Sequence, residues 1–411
     1  MRALRHRLVS LFLILLAGVA LRAAEAPAGE KLPVAGLISS WFPYSHPDLM
    51  LGRIVKTYSL DGKGEASRMR LASLYVDRPQ QNDFSEKIAA EYNVRLSKGV
   101  EDALTLGTGK LAVGGVLIVD VWADYPMSKT GQMIYPHRAM FDEVVKVFRA
   151  SGKVAPVFID IYLADNWADT WHIYNTCKTM GIPLMAGSSV PVGWRKPAAE
   201  VKRGAKLKEV IGISYHTTHL YGFHGLEMIQ TLAERREGGE TGVASVRTLT
   251  GQAVWDAAGK EYDPELLADV LARHEPPLTL EGVKQSVKEP VLFIVKYPDG
   301  LRAELFTLNN AVQHWAAGWR YADDSKESTL FWLDEEQSML HFSVQMQGIE
   351  RFILTGTPSW PVERTLLTSG MLHAAHVSLT ENSRLVETPE MGKIRYRSHW
   401  EWTPLPFPNE K

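Results

Sequence analysis

The feature that most constrains the fold is a regular alternation of strand-like and helix-like segments over residues 33–190. Short apolar runs, such as residues 34–38, recur between stretches whose apolar residues have helical spacing, such as 137–152. A chain that repeats strand and helix in this way builds a parallel sheet with helices on both faces. The sequence therefore predicts an α/β protein that begins with a Rossmann-like domain over 31–190.

From about residue 191 strand-like runs follow one another closely and helical patterns become rare. A Tyr-Pro-Asp-Gly turn at 297–300, between two alternating runs, predicts a β-hairpin. The run 340–346 also has the alternation of a strand, whereas 348–356 and 362–381 have helical spacing. These patterns predict a C-terminal α+β domain with an open, mostly antiparallel sheet. Its predicted bounds are 191–395, and residues 396–411 form a predicted extended tail.

The N-terminus has the composition of a secretory signal. A start with three arginines is followed by an apolar run over 8–20 and by Ala-Glu-Ala at 24–26. The apolar run is short for a bilayer span, and no second membrane segment follows. We expect a signal peptide over 1–26 and export to the periplasm or the extracellular space. An uncleaved anchor is the alternative.

Composition narrows the class of ligand. A net charge of −2 provides no basic field for nucleic acid, so we expect a small-molecule or oligosaccharide ligand. Twelve Trp and fourteen Tyr fit a sugar-facing cleft, although they fit a large packed core equally well. The single Cys177 cannot form an internal disulfide and is predicted to be a buried structural thiol.

Three segments in sequence order carry a resemblance to a known family. They are "SGKVAPVFIDIYLA" at 151–164, "YGFHGLEMIQTLAERREGGETGVASV" at 221–246, and the block from "GIERFILTGTPSWP" to "RLVETPE" at 348–390. This layout resembles the Gfo/Idh/MocA family, the relatives of glucose–fructose oxidoreductase and inositol dehydrogenase. The resemblance implies a Rossmann domain followed by an open-sheet domain, NAD(P) binding, and sugar or polyol substrates. Pairing through the open sheet in that family permits a homo-oligomer.

The turn after the first strand departs from that family. A dinucleotide-binding turn needs glycines, because bare backbone must approach the pyrophosphate at the start of the next helix. Ser39, Ser40 and Trp41 stand there instead, and their side chains weigh against the standard cofactor position. The residues predicted to contact a cofactor, if one binds, lie at strand ends or at the first helix and are Ser39, Ser40, His46, Asp77 and Asp120.

The family's substrate-side residues are also altered. The resemblance places Asp160 at the family's Glu and Ile161 at its Lys, and isoleucine can neither donate nor accept a proton. Leu220 stands where the family often has an Asp, whereas His224 is retained. An exported chain also meets little free NAD. Ordinary NAD(P) redox turnover is therefore predicted to be lost or altered.

The segment "SYHTTHLYGFHGLE" is the densest in reactive side chains. Imidazoles suit general acid–base work, so we predict that His224 acts as acid or base with Glu227 as its support. Asp160 and Asp165 are predicted carboxylate partners, although Asp165 or Asn166 also suits the cap of the following helix. The segment lacks a recognised zinc spacing, so no metal site is predicted. The full predicted catalytic set is His224, Glu227, Asp160, Asp165, His216 and His219, and the predicted substrate-binding set is Tyr162, Trp167, Trp194, Arg195, Trp315 and Arg320.

Four hypotheses follow from the sequence. The leading one is an exported protein that acts on or binds a carbohydrate or polyol without ordinary NAD(P) turnover. The second is an NAD(P)-dependent sugar oxidoreductase, or a transient-redox glycosidase, with a tightly bound cofactor. A non-catalytic sugar-binding protein is the third, and a metal-dependent hydrolase or lyase is the fourth.

Overall fold

The computed structural model describes residues 30–333 and 339–403. The predicted signal peptide lies outside these residues, as does the end of the predicted tail, 404–411. Two β-sheets organise the described chain. The first contains residues before position 190 and the second contains residues after it, although the exact domain bounds stay a prediction.

The first sheet is parallel throughout and is built from the apolar runs of the N-terminal half. Its strands are β1 (Leu32–Ile38), β2 (Met69–Val76), β3 (Arg95–Ser97), β4 (Gly115–Val119), β5 (Val157–Asp160) and β6 (Leu184–Gly187). Their spatial order is β3-β2-β1-β4-β5-β6, which is the order of a Rossmann sheet. The Rossmann-like prediction is confirmed.

Helices cover the first sheet. They are α1 (His46–Met50), α2 (Gly52–Val55), α3 (Ser85–Tyr92), α4 (Val100–Thr105), α5 (His137–Ser151) and α6 (Trp167–Met180). The two longest, α5 and α6, end at Gly152 and Gly181, whose φ values of 60° and 67° suit a glycine C-cap. The residues after β1 form the two short helices α1 and α2, where helical spacing over 48–58 predicts one longer helix, and the sequence patterns missed β3 and α4.

The second sheet is mostly antiparallel, as predicted. Its strands are β7 (Trp194–Lys196), β8 (Leu207–Ser214), β9 (Ser245–Thr250), β10 (Val291–Lys296), β11 (Arg302–Thr307), β12 (Trp315–Tyr321), β13 (Lys326–Trp332) and β14 (Val386–Glu387). The order is β14-β9-β10-β11-β8-β12-β13-β7, and β8 pairs with β11 in parallel. β10 and β11 form the hairpin predicted around the 297–300 turn.

Six further helices pack on the two sheets. They are α7 (Tyr221–Ala233), α8 (Gln252–Asp256), α9 (Pro264–Leu271), α10 (Leu280–Ser286), α11 (His341–Thr355) and α12 (Val362–Thr380). On one face of the second sheet, Ile211 and Ile213 of β8 share a core with Val254 of α8, Leu267 of α9 and Val283 of α10. Helices α7 and α12 pack against the sheet from the opposite side. The second sheet is therefore covered on both faces.

The strand predicted over 340–346 is wrong, because this segment forms the start of α11. Phe342, Met346, Ile349 and Ile353 recur at intervals of three or four residues and enter the core of the first sheet. That stripe is recognisable only when the window extends past residue 346.

Helix α12 joins the two sheets. It buries fourteen of its nineteen residues, and the largest hydrophobic core contains residues of both sheets. The Thr365 hydroxyl donates to the Ala186 carbonyl at 3.2 Å, and Thr248 of β9 donates to the Ala375 carbonyl at 2.7 Å. Within 30–333 and 339–403, neither α12 nor any other helix has the length and apolar character needed to cross a bilayer.

Candidate functional site

A cleft of about 430 Å³ opens where the carboxyl ends of the first sheet meet the loop between β8 and α7. Ligands of open α/β sheets bind at this edge of the strands. Its walls combine aromatic rings with amide, hydroxyl and imidazole groups. The lining residues are Phe42, Gln80, Asn82, Trp122, Ala123, Met133, Tyr135, Thr217, His219 and Leu220.

A histidine–aspartate pair lies at the same strand ends. His46 is the first residue of α1, and Asp160 is the last residue of β5. The His46 Nδ1 lies 2.5 Å from Asp160 Oδ2, and the two residues are 9% and 1% exposed. A carboxylate bound to one ring nitrogen orients the imidazole and leaves Nε2 for proton exchange. The sequence placed both residues at strand ends but did not predict their pairing.

His224, on the first turn of α7, is a second buried imidazole. Its Nδ1 lies 2.7 Å from the Ser188 hydroxyl, which also accepts the Val190 amide at 3.0 Å. Burial, together with the nearby His46, lowers the pKa of His224 to about 3. The His224 ring is therefore neutral near physiological pH and has one nitrogen able to accept a proton.

Glu227 does not support His224 as the sequence suggested. One carboxylate oxygen accepts the Thr368 hydroxyl at 2.6 Å, and the other faces the backbone of Gly187. Burial raises the pKa of Glu227 above its usual range. The observed hydrogen-bond partner of His224 is Ser188, from the end of β6.

The other two predicted histidines lie in the loop between β8 and α7. His219 lines the cleft, where burial lowers its pKa to about 4. The backbone of His216 is held by the Asn309 side chain, and its ring packs on Tyr221 at 4.7 Å. The cleft therefore includes His219, while His216 is part of an aromatic cluster beside it.

That aromatic cluster contains Trp315 and not Arg320. Trp315 stacks on Tyr221 at 5.3 Å and meets the ring of His224 edge-on at 6.1 Å. The pairing of β12 with β8 places Trp315 near the carboxyl end of β8 and Arg320 beside Glu209 at the opposite end. The two residues are five positions apart, which is about 17 Å along a strand. Arg320 forms an ion pair with Asp263 and does not reach the cleft.

Three more predicted substrate-binding residues hold the fold together. Arg195 is 1% exposed and pairs with Glu200. Trp194 packs against Trp332, with ring centroids 5.5 Å apart. Trp167 stacks on a neighbouring indole of its own helix. None of the three lines the cleft.

Tyr162 and Asp165 follow β5. Tyr162 is fully buried, and its hydroxyl donates to the Met133 carbonyl at 3.0 Å. Asn166, rather than Asp165, caps α6 by accepting the Asp169 amide at 3.0 Å. Asp165 is half-buried, and burial raises its pKa. The structure thus separates Asp165 from Asp160, whose partner is His46.

The turn after β1 carries its own anions. The Trp41 amide and the Ser40 hydroxyl both donate to Asp83 Oδ2 at 2.7 Å, and the Tyr44 amide donates to Asp48 Oδ2 at 3.0 Å. In a Rossmann turn such groups face the cofactor's pyrophosphate. Here carboxylates hold them, and a phosphate placed beside these carboxylates would be repelled.

The side chains of this turn also weigh against a dinucleotide in the standard position. Ser39, Ser40 and Trp41 are buried, and the Trp41 indole packs with Ile38 and Leu49 in the core. Helix α1 is only five residues long, so it presents little of the dipole that attracts phosphate. The residues at this turn therefore do not fit a dinucleotide in the standard position.

Asp77 and Asp120, the other predicted cofactor contacts, share one phenol. The Tyr125 hydroxyl lies 2.8 Å from Asp120 Oδ1 and 3.0 Å from Asp77 Oδ2, yet it has a single proton to donate. Burial raises the pKa of Asp120 to about 8, so its carboxyl is protonated at neutral pH and can donate to the phenol. Asp77 is occupied by Tyr125 and by Tyr75.

The sequence also missed a set of unusual backbone conformations near the cleft. Tyr44, Trp122, Ile161 and His216 have φ values of 64°, 68°, 59° and 63°. This left-handed region costs non-glycine residues roughly 1–2 kcal/mol each. All four follow ends of strands β1, β4, β5 and β8, where functional residues concentrate. No signal in the sequence marks them.

Cys177 is buried, as predicted, and burial raises the pKa of its thiol to about 12. Among residues 30–333 and 339–403, no three His, Cys, Asp or Glu side chains are grouped so that they could hold a metal ion.

Comparison with known proteins supports the fold. No protein-family model and no curated protein sequence matches the chain. Solved structures do match. GenD2 from gentamicin A biosynthesis, in complex with NAD, has a TM-score of 0.56 at 13% identity, covering 89% of this chain and 98% of that one. Apo scyllo-inositol dehydrogenase from Lactobacillus casei has a TM-score of 0.53 at 12% identity, covering 87% and 98%.

A third match is a putative myo-inositol dehydrogenase from Sinorhizobium meliloti 1021, with a TM-score of 0.53 at 12% identity, covering 87% of this chain and 99% of that one. These neighbours are Gfo/Idh/MocA-type dehydrogenases. The resemblance predicted from the sequence is confirmed at the level of fold.

Proposed function

We propose that this chain, which has the fold of Gfo/Idh/MocA-type dehydrogenases but fills the phosphate turn with its own carboxylates, binds and acts on a carbohydrate or polyol without ordinary NAD(P) turnover. The N-terminal sequence adds export to the proposal. Neighbours named as inositol dehydrogenases support the class of ligand.

One observation carries the proposal: an aromatic cleft and two buried imidazoles, His46 and His224, lie at the same edge of the first sheet, although neither imidazole is among the residues that line the cleft. Trp122, Phe42 and Tyr135 offer rings to the apolar face of a sugar. Gln80, Asn82 and other polar groups of the same walls can bind its hydroxyls.

The imidazoles supply proton transfer. Asp160 holds the ring of His46, whose free Nε2 can take a proton from a hydroxyl or return one to a leaving oxygen. His224 stays neutral and provides a second acceptor held by Ser188. His224, which stays neutral, cannot donate a proton as an imidazolium, so His46 is the group that exchanges protons and His224 is a hydrogen-bond partner, an arrangement that can serve hydrolysis or elimination. Such a reaction needs no hydride acceptor.

The competing function is a sugar oxidoreductase that keeps NAD(P) tightly bound. The NAD complex of GenD2 favours it, whereas the carboxylates of Asp83 and Asp48 oppose it. Denaturing the purified protein and analysing the supernatant by mass spectrometry separates the two. Stoichiometric NAD(P) in the supernatant would establish the oxidoreductase and refute the proposal.

The ligand test uses calorimetric titration with myo-inositol, N-acetyl-D-glucosamine and a panel of short oligosaccharides. Trp122→Ala is expected to weaken binding about threefold to tenfold, because it removes one stacking ring. Trp171→Ala is the matched control, since Trp171 is 40% exposed, close to the 41% of Trp122, but lies on α6 outside the cleft. Equal effects of the two variants would contradict the assignment of the cleft.

Turnover separates an enzyme from a binding protein. His46→Ala is expected to lower the rate of product formation at least about a hundredfold, which is the typical contribution of general acid–base catalysis. Binding of the ligand is expected to persist. Binding without any detectable turnover of the panel would favour the non-catalytic alternative.

A further inference from the structure

A groove of about 530 Å³ lies between the loop joining α11 to α12 and the C-terminal segment. It shares no lining residue with the cleft described above. The side chains that define it are Arg351, Ser359, Trp360, Arg397, His399 and Trp400. Among the described residues, no carboxylate lines it.

The two guanidinium groups of the groove are not neutralised. Within the described residues, neither Arg351 nor Arg397 forms an ion pair; both are exposed, and other exposed arginines, such as Arg68 and Arg203, do form ion pairs. The adjacent acids point elsewhere. Glu350 of α11 forms an ion pair with Arg68, the residue before β2, and Glu401 forms ion pairs with Arg203 and Arg235. The groove therefore presents uncompensated positive charge.

Three side chains of the groove, Trp400, Trp360 and Arg351, are held in place, whereas no hydrogen bond or ion pair with the described residues holds the exposed Arg397. The Trp400 ring lies over the buried Arg364 guanidinium at 5.2 Å, and its carbonyl accepts from Arg203 at 2.8 Å. The Trp360 indole donates to the Ala186 carbonyl at 2.8 Å. Arg351 Nε donates to the Ser359 hydroxyl at 3.1 Å, which orients the rest of its guanidinium. Groups held in this way bind a ligand at a low cost in entropy.

We propose that this groove is a second ligand site, for a sugar that carries a carboxylate. Guanidinium groups bind carboxylates in a bidentate manner, and an indole face covers the apolar side of a sugar ring. The volume falls in the range of small-molecule sites and accommodates one or two sugar units. A uronic acid unit, free or within an acidic polysaccharide, combines both features.

The test is calorimetric titration of the full chain at constant ionic strength with sodium D-glucuronate, D-glucose, sodium acetate and sodium phosphate. Glucuronate is expected to bind at least about tenfold more tightly than the other three, because ring and carboxylate are both recognised. Arg351→Gln and Arg397→Gln are each expected to weaken glucuronate binding at least about tenfold, since each loses a charge-assisted contact. Arg149→Gln, an exposed arginine on α5, is the control and leaves binding unchanged.

Three results would overturn the proposal: no binding of glucuronate at millimolar concentration, phosphate or acetate binding as tightly as glucuronate, or unchanged glucuronate binding in both glutamine variants. The outcome is independent of the proposed function. Trp122→Ala alters the cleft and leaves every residue of the groove in place.

Discussion

Replacing Asp83 by alanine is expected to destabilise the protein and to create an anion site. Asp83 accepts the Trp41 and Ser85 amides at 2.7 and 2.8 Å, and the Ser40 and Ser85 hydroxyls at 2.7 and 3.2 Å. The hydroxyls can turn to other acceptors, whereas the two amides are fixed by the backbone. The variant therefore leaves two amides without their acceptor.

The magnitude follows from those two amides. A polar group that loses its partner in a buried place costs about 1–3 kcal/mol. Because Asp83 itself is half-buried, water reaches part of the vacated space, so about 1–2 kcal/mol for each amide is appropriate. The expected loss in the free energy of unfolding is about 2–4 kcal/mol, measured by urea denaturation. Glu289→Ala removes an exposed loop carboxylate that makes no hydrogen bond or ion pair with the described residues, and this control is expected to leave stability unchanged.

Phosphate should then rescue the variant. The space left by the carboxylate is surrounded by N–H and O–H donors, and an anion that binds only the folded state stabilises it by about 2.7 kcal/mol at one hundred times its dissociation constant. Sodium phosphate is compared with sodium chloride at equal ionic strength. Wild-type protein should gain nothing specific, because Asp83 already occupies the position.

Two results would refute this reasoning. If Asp83→Ala is as stable as wild type, the carboxylate does not hold the turn. If phosphate stabilises wild type as much as the variant, the turn is open to phosphate, and the argument against a dinucleotide fails with it.

Three further predictions follow from the fold and the cleft. Trp122→Gly should be more stable than Trp122→Ala by about 1 kcal/mol in urea denaturation, because glycine tolerates the φ of 68° at that position, and the reverse order would contradict a left-handed backbone there. The free energy of unfolding should fall as pH rises between about 4, the usual carboxyl pKa, and about 8, the pKa of buried Asp120, because in that window unfolding releases the proton that the folded state retains. Asp120→Asn should flatten that part of the pH profile, and an unchanged slope would assign the titration to another group. Light scattering should find one chain per particle at micromolar concentration, since α8, α9 and α10 cover one face of the second sheet, the open sheet through which the resemblance permits a homo-oligomer. A stable dimer would point to a different interface.

The sequence patterns predicted the first sheet well except for β3, because strands such as β4 and β5 are fully buried and leave unbroken apolar runs, whereas β3 is largely exposed. They failed at α11 because the sequence window that was interpreted as a strand was too short. Phe342, Val344 and Met346 alternate as a strand would, and the helical stripe emerges only with Ile349 and Ile353. A short amphipathic window fits both periods.

The candidate site was predictable in location but not in its pairings. Strand ends gather at one edge of a parallel sheet, so His46 and Asp160 could be placed there. Their hydrogen bond joins positions 114 residues apart, and the bond from Ser188 to His224 spans 36. Spacing along the chain favoured Glu227 as the partner of His224, whereas packing of α7 against α12 turned that carboxylate toward Thr368.

The turn after β1 was likewise predictable only in part from the sequence. The side chains at 39–41 predicted that a phosphate could not approach the turn in the standard position. Nothing in the sequence indicated that a carboxylate from beyond β2 would supply the missing negative charge, because Asp83 has the ordinary position of a residue before a helix.

The way in which α12 is bonded to both sheets has a mechanical consequence. Hinged two-domain proteins close around a ligand by rotating about a few exposed residues. Here the rotation axis would pass through a helix that is almost wholly enclosed, with hydroxyl contacts to each half. We therefore expect the cleft to keep a constant width when a ligand binds. On this expectation, a ligand is selected by whether it fits a cleft of constant width. Its binding and release are then set by diffusion through the cleft and not by a domain movement.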